Sequence, residues 1–471
     1  MVKVSSIINV SFPGGKTLPI LPIDTGRYGS PEMRTIFEEE NRLQKMLDVE
    51  AALAWAHSNV GNIAKEDAER IMEKAKTKYV TLERVKTIEK EIRHDVMALV
   101  RALAEVCGKS GEYVHLGATS SDILDTATAL QLKEAVNLIE ERLNELESVL
   151  LDRTKKHKMS IMMGRSHGQH ALPTTFGFKS AVWTREIARH IHRLRNCRER
   201  LLVGKMSGAV GTQAGLGSNA LKIQKLVMER LDICVADIST QIIQRDRYAE
   251  LTCILAILAS SLDNIASEVR ELQRPEIAEV FEAFEQKKQV GSSTMPHKRN
   301  PMISERICGL AKILRSLVLP ALENITTWHE RDLTQSSCER FVIPEECILI
   351  DYMLLLMIRV LNGLEIDELR MRKNMDITQG RMMSEAVMLM LAKKGLGRQK
   401  AHELVRQLAI KSHNEHRNFK DVLADNSVVN QLLNSDEIIQ VMNPQNYLGT
   451  VLQQIELVID KTKKERIARG L

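Results

Sequence analysis

The amino-acid sequence predicts an all-α protein built around long helices. Leu, Ile, Met, Ala, Glu, Lys and Arg dominate the 471 residues, and aromatic residues make up only 4%, a composition that favours helix. Apolar residues recur at helical spacing through most of the chain, whereas the alternation typical of strands is scarce. Three helical segments carry more apolar surface than one amphipathic face needs, which suits oligomerisation: residues 126–151, 251–273 and 346–361.

Composition limits the classes of partner and compartment. The 66 basic and 61 acidic residues leave a net charge of +5, too small over this length to indicate nucleic acid binding and better suited to local pockets for an anionic ligand. The seven cysteines are odd in number and form no CxxC pair, which favours a reducing compartment. No signal peptide is recognisable, and Asp351 interrupts the apolar run at 347–361, so we expect a cytoplasmic protein that does not bind membranes.

Breaks in the helical pattern predict three helical domains with a long central helix bundle. Residues 1–25 have no clear period and are expected to form an extended arm. Glycines at 108 and 111 mark a first boundary, and Asn362-Gly363 precedes shorter, more charged helices. We therefore expect an N-terminal domain at 1–110, the central domain at 111–364 and a C-terminal domain at 365–471.

The first helical pattern begins at Pro31, with Ser30 as the expected cap. Arg27 and Tyr28 lie just before this helix start, where an anion would meet unpaired N–H groups and a favourable dipole, although an ordinary surface arginine is the simpler interpretation. A second helical pattern covers residues 81–106 and contains His94-Asp95. Adjacent residues point to different faces of a helix, so this pair does not by itself make a catalytic dyad.

A hydroxyl-rich segment, His115 to Asp122, leads into the helix predicted over 126–151. Ser121 or Asp122 could cap that helix in a simple turn. Alternatively, Thr119 and Ser120 could grip a carboxylate together with the helix N-terminus.

The next segment, GRSHGQHALP at 164–173, places His167 between two glycines after an apolar run. This arrangement favours a histidine that projects into a cleft. His167 and His170 have the spacing of an HxxH metal pair, but no third ligand follows at suitable spacing, so no metal is expected. The arginine-rich helix over 181–200 lacks interleaved aromatic residues, which favours a solvated or intersubunit face over a nucleic acid site.

A loop interrupts the later helices at residues 291–301, which read GSSTMPHKRNP. Small and hydroxyl residues come first, Pro296 argues against a continuous helix, and basic residues follow. Such a segment could be a solvated basic turn, or it could close over an anionic substrate and exclude water.

These motifs resemble those of a known enzyme superfamily. The GSSxMPxKxN pattern at 291–300 resembles the signature of the fumarase/aspartase superfamily, and the fuller stretch is similar to its adenylosuccinate lyase branch. The segments at 164–173 and 204–212 are also similar, with Ser166 where the family usually has Thr. The cluster at 328–340, WHERDL with SSCER, resembles adenylosuccinate lyases rather than the superfamily at large.

The resemblance implies β-elimination of fumarate from a succinyl-substituted nitrogen, without a cofactor, and a fold of long helices. It implies His167 as the acid that protonates the departing nitrogen and Ser292 as the base. Since an unperturbed serine hydroxyl is a poor base, the assignment of Ser292 depends on the resemblance alone. It further implies that Lys298 and Asn300, with Thr119 and Ser120, hold the carboxylates, and that His94 assists the acid. Other residues implied to act at or beside the site are Asp95, His115, Gln241, Glu305 and Arg306.

The resemblance also implies two nucleotide substrates: adenylosuccinate, giving AMP, and succinyl-aminoimidazole-carboxamide ribotide, giving AICAR. Arginine forks suit phosphate oxygens, and the implied phosphate cage consists of Arg27, Tyr28, Arg331, Ser336 and Arg340. The resemblance further implies a homotetramer whose active sites combine loops from three subunits, which would bring the separate motifs together.

Two other interpretations remain open. Another superfamily reaction, such as argininosuccinate cleavage or 3-carboxymuconate cycloisomerisation, would not need the phosphate cage. A helical structural or RNA-binding protein would not need the intact motif residues.

Overall fold

The structure is a computed structural model that describes residues 20–283, 294–295 and 297–471. It confirms the predicted all-α class. The helices are, in chain order, α1 (Pro31–Phe37), α2 (Glu39–Asn59), α3 (Lys65–Lys74), α4 (Leu82–Ile92), α5 (Asp95–Cys107), α6 (Ser120–Lys156), α7 (Phe176–Leu201), α8 (Ala220–Leu231), α9 (Asp246–Gln273), α10 (Met302–Ser316), α11 (Val318–Glu323), α12 (Thr334–Gly363), α13 (Glu368–Asp376), α14 (Ser384–Leu391), α15 (Arg398–Asn414), α16 (Phe419–Ala424), α17 (Ser427–Leu432), α18 (Ser435–Val441) and α19 (Val451–Ala468).

Short two-stranded ladders connect some of these helices. An antiparallel hairpin of β1 (Ile161–Ser166) and β2 (Gln169–Thr175) links α6 to α7. The two remaining ladders are parallel β3 (Val203–Gly204) with β4 (Cys234–Val235), and antiparallel β5 (Val280–Phe281) with β6 (Glu365–Ile366).

Contacts group the chain into two compact units. The first unit comprises the chain up to Ala135 together with Leu202–Asp246 and Pro320–Tyr352, and the second comprises Val136–Leu201, Arg247–Leu319 and Met353–Leu471. The division into three domains that the sequence predicts stays a prediction.

The core of the first unit lies among α2, α3, α5 and α8. Leu47 and Leu53 of α2, Leu99 and Leu103 of α5 and Ile223 of α8 are almost completely buried in one apolar cluster. Burial of side chains of this size is worth about 1.5–3 kcal/mol each, which makes this cluster the main support of the loops described below.

Long helices supply the core of the second unit. Leu143, Leu146 and Leu150 repeat on one face of α6 and are completely buried. The last helix, α19, packs on α7, where Arg185 forms a forked ion pair with Glu465 at 2.6 and 2.9 Å. Helices α14 to α18 surround a separate apolar cluster.

Most helices predicted from periodicity are present, with wider bounds than the apolar pattern alone marks. Ser30 caps α1 as expected, since its side chain accepts from the Met33 N–H at 3.1 Å. One expectation was wrong: the pattern over 81–106 is two helices. Helix α4 ends before Arg93, which adopts the left-handed conformation at φ 56°, and α5 begins after His94. Apolar spacing continues through this break, so periodicity could not reveal it.

Helix α9 is long and apolar enough to cross a membrane by length and composition, with a mean hydropathy of 1.4 in its most apolar window. The protein itself buries 61% of that window. Such burial is what a core helix provides.

Candidate active site

His167 lies at the tip of the β1–β2 hairpin. Ser166 pairs with Gln169, so His167 and Gly168 form a two-residue turn, and both have positive φ angles, 54° and 72°. Turns with this pair of angles match the twist of a hairpin, and glycine adopts such an angle without strain. The histidine side chain is exposed at the tip. The hairpin itself was not expected from the sequence, because its strands are short and do not alternate cleanly.

A buried carboxylate anchors this hairpin. Arg165 forks onto Glu279 with Nη1–Oε2 and Nη2–Oε1 distances of 3.0 and 2.7 Å, and Asn374 Nδ2 donates to the same carboxylate at 2.8 Å. Glu279 is completely buried, and a charge buried this deeply needs such partners. The anchor fixes the strand that ends one residue before His167.

His170, three residues after His167, faces inward. Burial, and then the charge of Arg165, lower the pKa of His170, so its ring is neutral at neutral pH. Across the described ranges 20–283, 294–295 and 297–471, no group of three or more His, Cys, Asp or Glu residues could hold a metal ion.

Asp122 organises the start of α6. The carboxylate is completely buried and accepts backbone N–H groups of Thr119 at 2.8 Å, Ser207 at 2.9 Å and Gly208 at 3.1 Å. It also pairs with the buried ammonium of Lys205. The expectation that Ser121 or Asp122 precedes the helix as its cap was wrong: α6 begins at Ser120, so both lie in its first turn, from which Asp122 reaches back to the Thr119 N–H. Asp122 also joins two loops that the sequence singled out separately, at 115–122 and 204–212.

His115 opens the first of these loops in the left-handed conformation, with φ 64°. Its backbone N–H and its ring Nδ1 both contact the Glu50 carboxylate, at 3.1 and 2.6 Å. Sequence analysis missed Glu50, because a single acidic residue in an amphipathic helix carries no signal of burial.

His94 and Asp95 stand at the start of α5. The ring Nδ1 of His94 accepts from the Met97 N–H at 3.3 Å and so caps the helix. Because Nδ1 is the acceptor, the neutral ring carries its proton on Nε2. Asp95 Oδ2 accepts from Arg340 Nη2 at 3.1 Å. The His94-Asp95 pair, which gave no sign of a catalytic dyad when assigned to one continuous helix, therefore faces a cluster of arginines.

One cleft of about 810 Å³ in the first unit brings many of the predicted residues together. Its lining combines three arginines and three serine hydroxyls with three carboxylates, and arginine and hydroxyl donors of this kind suit an anionic ligand. The predicted residues that line it are His94, Asp95, Ser120, Gln241, Arg331, Ser336 and Arg340, and the others include Glu89, Arg93, Asp332 and Ser337.

Gln241 holds one end of the Arg331 guanidinium in this cleft. Its Nη1 donates to Gln241 Oε1 at 3.1 Å, and Gln241 Nε2 donates to the Ala209 carbonyl at 2.8 Å. The buried Nε of Arg331 has no hydrogen-bond partner among the described residues. A buried donor of this kind is costly unless a ligand or water occupies it, so Arg331 retains capacity for a ligand.

A charge network supports the cleft from a smaller adjoining cavity of about 170 Å³. Arg245 forks onto Asp125, with both Nη–Oδ distances 2.9 Å, and its Nε donates to Glu339 at 2.7 Å. Burial raises the pKa of Glu339, while the charge of Arg245 opposes that rise. Since Glu339 directly precedes Arg340, the network fixes the part of α12 that carries the cleft arginine.

Arg27 and Tyr28 are held by a different part of α12. The Tyr28 and Tyr352 rings lie 5.8 Å apart, the Arg27 guanidinium lies 5.9 Å from the Tyr28 ring, and the Ser30 hydroxyl donates to Asp351 at 2.5 Å. Neither Arg27 nor Tyr28 is among the residues that line the cleft. Their part in a phosphate cage stays a prediction.

Ser292 lies outside the described residues, as do Gly291, Ser293 and Pro296 of the same motif. The described end of the motif leads into α10. There the Glu282 carboxylate caps the helix by accepting the Ser304 and Ile303 N–H groups at 2.7 and 3.2 Å. Lys298 and Glu305 are exposed, Asn300 and Arg306 are half-buried, and their predicted roles stay predictions.

Comparisons with known proteins find relatives along most of the chain. The model of the lyase family matches residues 26–314, and the model of the adenylosuccinate lyase C-terminus matches residues 380–458. The chain is 54% identical to an adenylosuccinate lyase of Pyrococcus abyssi over 454 residues, which cover 96% of this chain and 100% of the relative. It is 48% identical to that of Methanocaldococcus jannaschii over 460 residues, covering 98% and 99%.

The fold is also similar to a solved structure, the 3-carboxy-cis,cis-muconate lactonizing enzyme of Pseudomonas putida. The TM-score is 0.86 at 33% identity, with 94% of this chain and 99% of the other covered. These matches identify the chain as a lyase of the fumarase/aspartase superfamily. Within that superfamily, the chain belongs to the adenylosuccinate lyase family.

Proposed function

We propose that this protein cleaves adenylosuccinate to AMP and fumarate, and succinyl-aminoimidazole-carboxamide ribotide to AICAR and fumarate. The observation that carries the proposal is the convergence of Arg331, Ser336 and Arg340 with Gln241 and His94 on one cleft. Guanidinium forks are suited to phosphate, and hydroxyl and amide groups supply further donors and acceptors. The cleft volume of about 810 Å³ falls in the range of small-molecule sites, roughly 300–1,000 Å³.

The reaction is a β-elimination. A base removes a proton from the carbon next to a carboxylate, the carbon–nitrogen bond breaks, and an acid protonates the departing nitrogen. Negative charge that develops on the carboxylate needs fixed donors. In the proposal, Lys298, Asn300, Thr119 and Ser120 hold the carboxylates, and no cofactor takes part.

His167 is the proposed acid and Ser292 the proposed base. The exposed position of His167 on a hairpin anchored by Glu279 supports its role, since a general acid must reach the substrate while its backbone stays fixed. The assignment of Ser292 is supported by its motif alone. His94, whose Nδ1 caps α5 and whose Nε2 is therefore the ring nitrogen that donates, can assist the departing nitrogen.

The assembly proposed is a cytoplasmic homotetramer with active sites shared between subunits. Apolar side chains that stay exposed on long helices of the second unit support it, among them Val182 of α7, Ile257 of α9 and Ile313 of α10. Exposed apolar residues on several long helices are typical of interfaces between subunits.

The test is turnover of adenylosuccinate by the purified protein, with AMP and fumarate measured in the same sample. Both products should appear in equal amounts. Ser292→Ala and His167→Ala should each lose turnover, whereas Ser110→Ala, a change of the same residue type in a different loop, should retain it. Absence of turnover by the wild-type protein would contradict the proposal.

A second candidate reaction follows from the fold comparison, since the Pseudomonas putida relative carries the name of a 3-carboxymuconate lactonizing enzyme. Turnover of 3-carboxymuconate in place of adenylosuccinate would favour that reaction. The arginine-lined cleft argues for the nucleotide.

A further inference from the structure

Helix α2 places two polar residues in an apolar stripe. Leu43, Leu47, Glu50, Ala54 and His57 follow one another at spacings of three and four residues and share one face of the helix. All five are at most 2% exposed. An acid and an imidazole at core positions cost free energy unless each finds partners, so their contacts indicate what they do.

Both carboxylate oxygens of Glu50 contact the same residue, His115. Oε2 accepts the backbone N–H of His115 at 3.1 Å, and Oε1 lies 2.6 Å from the ring Nδ1. The first contact holds the backbone of His115 in its left-handed conformation, which a non-glycine residue rarely adopts. The second contact leaves Nε2 as the one ring nitrogen that can meet a ligand.

His57, two turns further along α2, holds the next residue of the same loop. Asn62 Nδ2 donates to His57 Nδ1 at 2.9 Å, so the His57 proton is on Nε2, which donates to the Leu116 carbonyl at 2.9 Å. Burial lowers the pKa of His57 despite this contact, which keeps the ring neutral and this pattern of donors intact. Two consecutive loop residues are therefore fixed by one rigid helix.

The loop that these residues fix leads directly to Thr119 and Ser120, of which Ser120 lines the cleft. We propose that Glu50 is a positioning residue of the elimination: it clamps the backbone and Nδ1 of His115 so that Nε2 of the ring meets a carboxylate of the substrate. This inference rests on the proposed function.

The charges around His115 agree with this assignment. Burial lowers the pKa of His115, but the hydrogen bond and charge of Glu50, together with the charge of Asp122, outweigh it and raise the pKa above its ordinary value. Asp122 is itself paired with Lys205, and His57 is neutral, so Glu50 is the main source of the rise. A raised histidine pKa means that the donor is charged below that pKa and lost as the pH rises through it.

Glu50→Gln is the sharpest test because it keeps the shape. A glutamine can still accept the His115 N–H and can donate its amide to Nδ1 of a neutral ring, so the loop geometry survives while the charge is removed. We expect KM for adenylosuccinate to rise by roughly tenfold or more, the scale of a lost charged hydrogen bond. We also expect the alkaline limb of kcat/KM to move to lower pH.

The control is Glu40→Gln, an exposed glutamate on the same helix, which should leave both quantities unchanged. Titration of the His115 Cε1–H signal by NMR, in protein without substrate, measures the clamp independently of any reaction. Its midpoint should lie above that of an ordinary histidine in the wild-type protein and fall in Glu50→Gln.

Three results would overturn the inference. They are a wild-type His115 that titrates at or below the ordinary histidine value, a midpoint that Glu50→Gln leaves in place, and a Glu50→Gln enzyme whose kcat falls while its pH profile stays the same. Should Glu50→Gln fail to fold, the wild-type titration still decides. If adenylosuccinate is not turned over at all, the proposed function fails while the NMR titration continues to test the clamp.

Discussion

Arg340 Nη2 lies 3.1 Å from Asp95 Oδ2, and this ion pair joins the first turns of α12 to the start of α5. It places a guanidinium beside His94, although the two residues are separated by more than half of the chain. Both partners are about half exposed, at 52% and 41%. A pair this accessible contributes little to folding, so its place in the cleft is better explained by binding.

Arg340→Lys is predicted to impair binding more than stability. Lysine keeps the charge but lacks the planar fork, so KM for adenylosuccinate should rise by roughly tenfold or more. The unfolding free energy should change by about 1 kcal/mol or less. Steady-state kinetics and urea unfolding of the same preparation measure the two effects, and a large loss of stability with unchanged KM would contradict the assignment.

Arg245→Met is predicted to impair stability more than binding. Arg245 is buried between Asp125 and Glu339. Its removal leaves the buried Asp125 and the half-buried Glu339 without their cation, which costs about 3–5 kcal/mol. Urea unfolding measures the loss. The matched control is Arg200→Met, whose partner Glu250 lies at the surface and whose loss should cost about 1 kcal/mol at most. Equal effects of the two variants would refute the distinction between buried and exposed pairs.

His167→Ala is predicted to lower kcat by roughly 10²–10⁴-fold, the range for loss of a general acid. Because the side chain is exposed at a hairpin tip, the melting temperature should stay close to that of the wild-type protein. Gln169→Ala, an exposed neighbour on the same hairpin, serves as the control and should retain kcat. A kcat for His167→Ala within a few-fold of wild type would remove this residue from the reaction.

The helices and most of the cleft residues could be predicted from the sequence, because apolar spacing and short motifs are local signals. Asp95 and Arg331 lie in motifs and Gln241 was implied by the resemblance, and the structure brings all three to one cleft. What supports them could not be predicted. Glu50, Asp125 and Glu282 act through partners far away in the sequence, and an acidic residue shows no local sign of burial.

The same limit explains the break before His94 and the hairpin that carries His167. A histidine can cap a helix through Nδ1, but histidine is not among the residue types, such as Ser and Asp, that indicate an N-cap in a sequence. A His-Gly turn is likewise a weak hairpin signal compared with Asn-Gly.

His190 is predicted to make stability depend on pH. Burial, and then the charges of Arg193 and Arg189, lower its pKa from 6.5 to about 4. Its Nε2 donates to the Ser261 hydroxyl at 2.8 Å, because that hydroxyl donates its own proton to Glu186. In the unfolded chain, the His190 ring binds a proton below about pH 6.5. In the folded protein, it does so only below about pH 4. Stability is therefore complete above pH 6.5 and falls as the pH drops towards 4, by roughly 3 kcal/mol over the window.

His190→Gln keeps a donor for Ser261 and removes the titration. Urea unfolding of both proteins between pH 7 and pH 4 gives two curves, and their difference isolates this histidine from the carboxylates. The difference should change steadily across the window. A constant difference would show that His190 titrates normally in the folded protein.

Binding of AMP and of adenosine to the same protein measures most directly whether the cleft recognises a nucleotide phosphate. Isothermal titration calorimetry should show AMP binding at least roughly tenfold more tightly than adenosine, with a preference that weakens as salt is added. In the double variant Arg331→Met, Arg340→Met that preference should disappear, while adenosine binds as before. Equal affinities for AMP and adenosine in the wild-type protein, or a preference that survives the loss of both arginines, would contradict a phosphate site in this cleft.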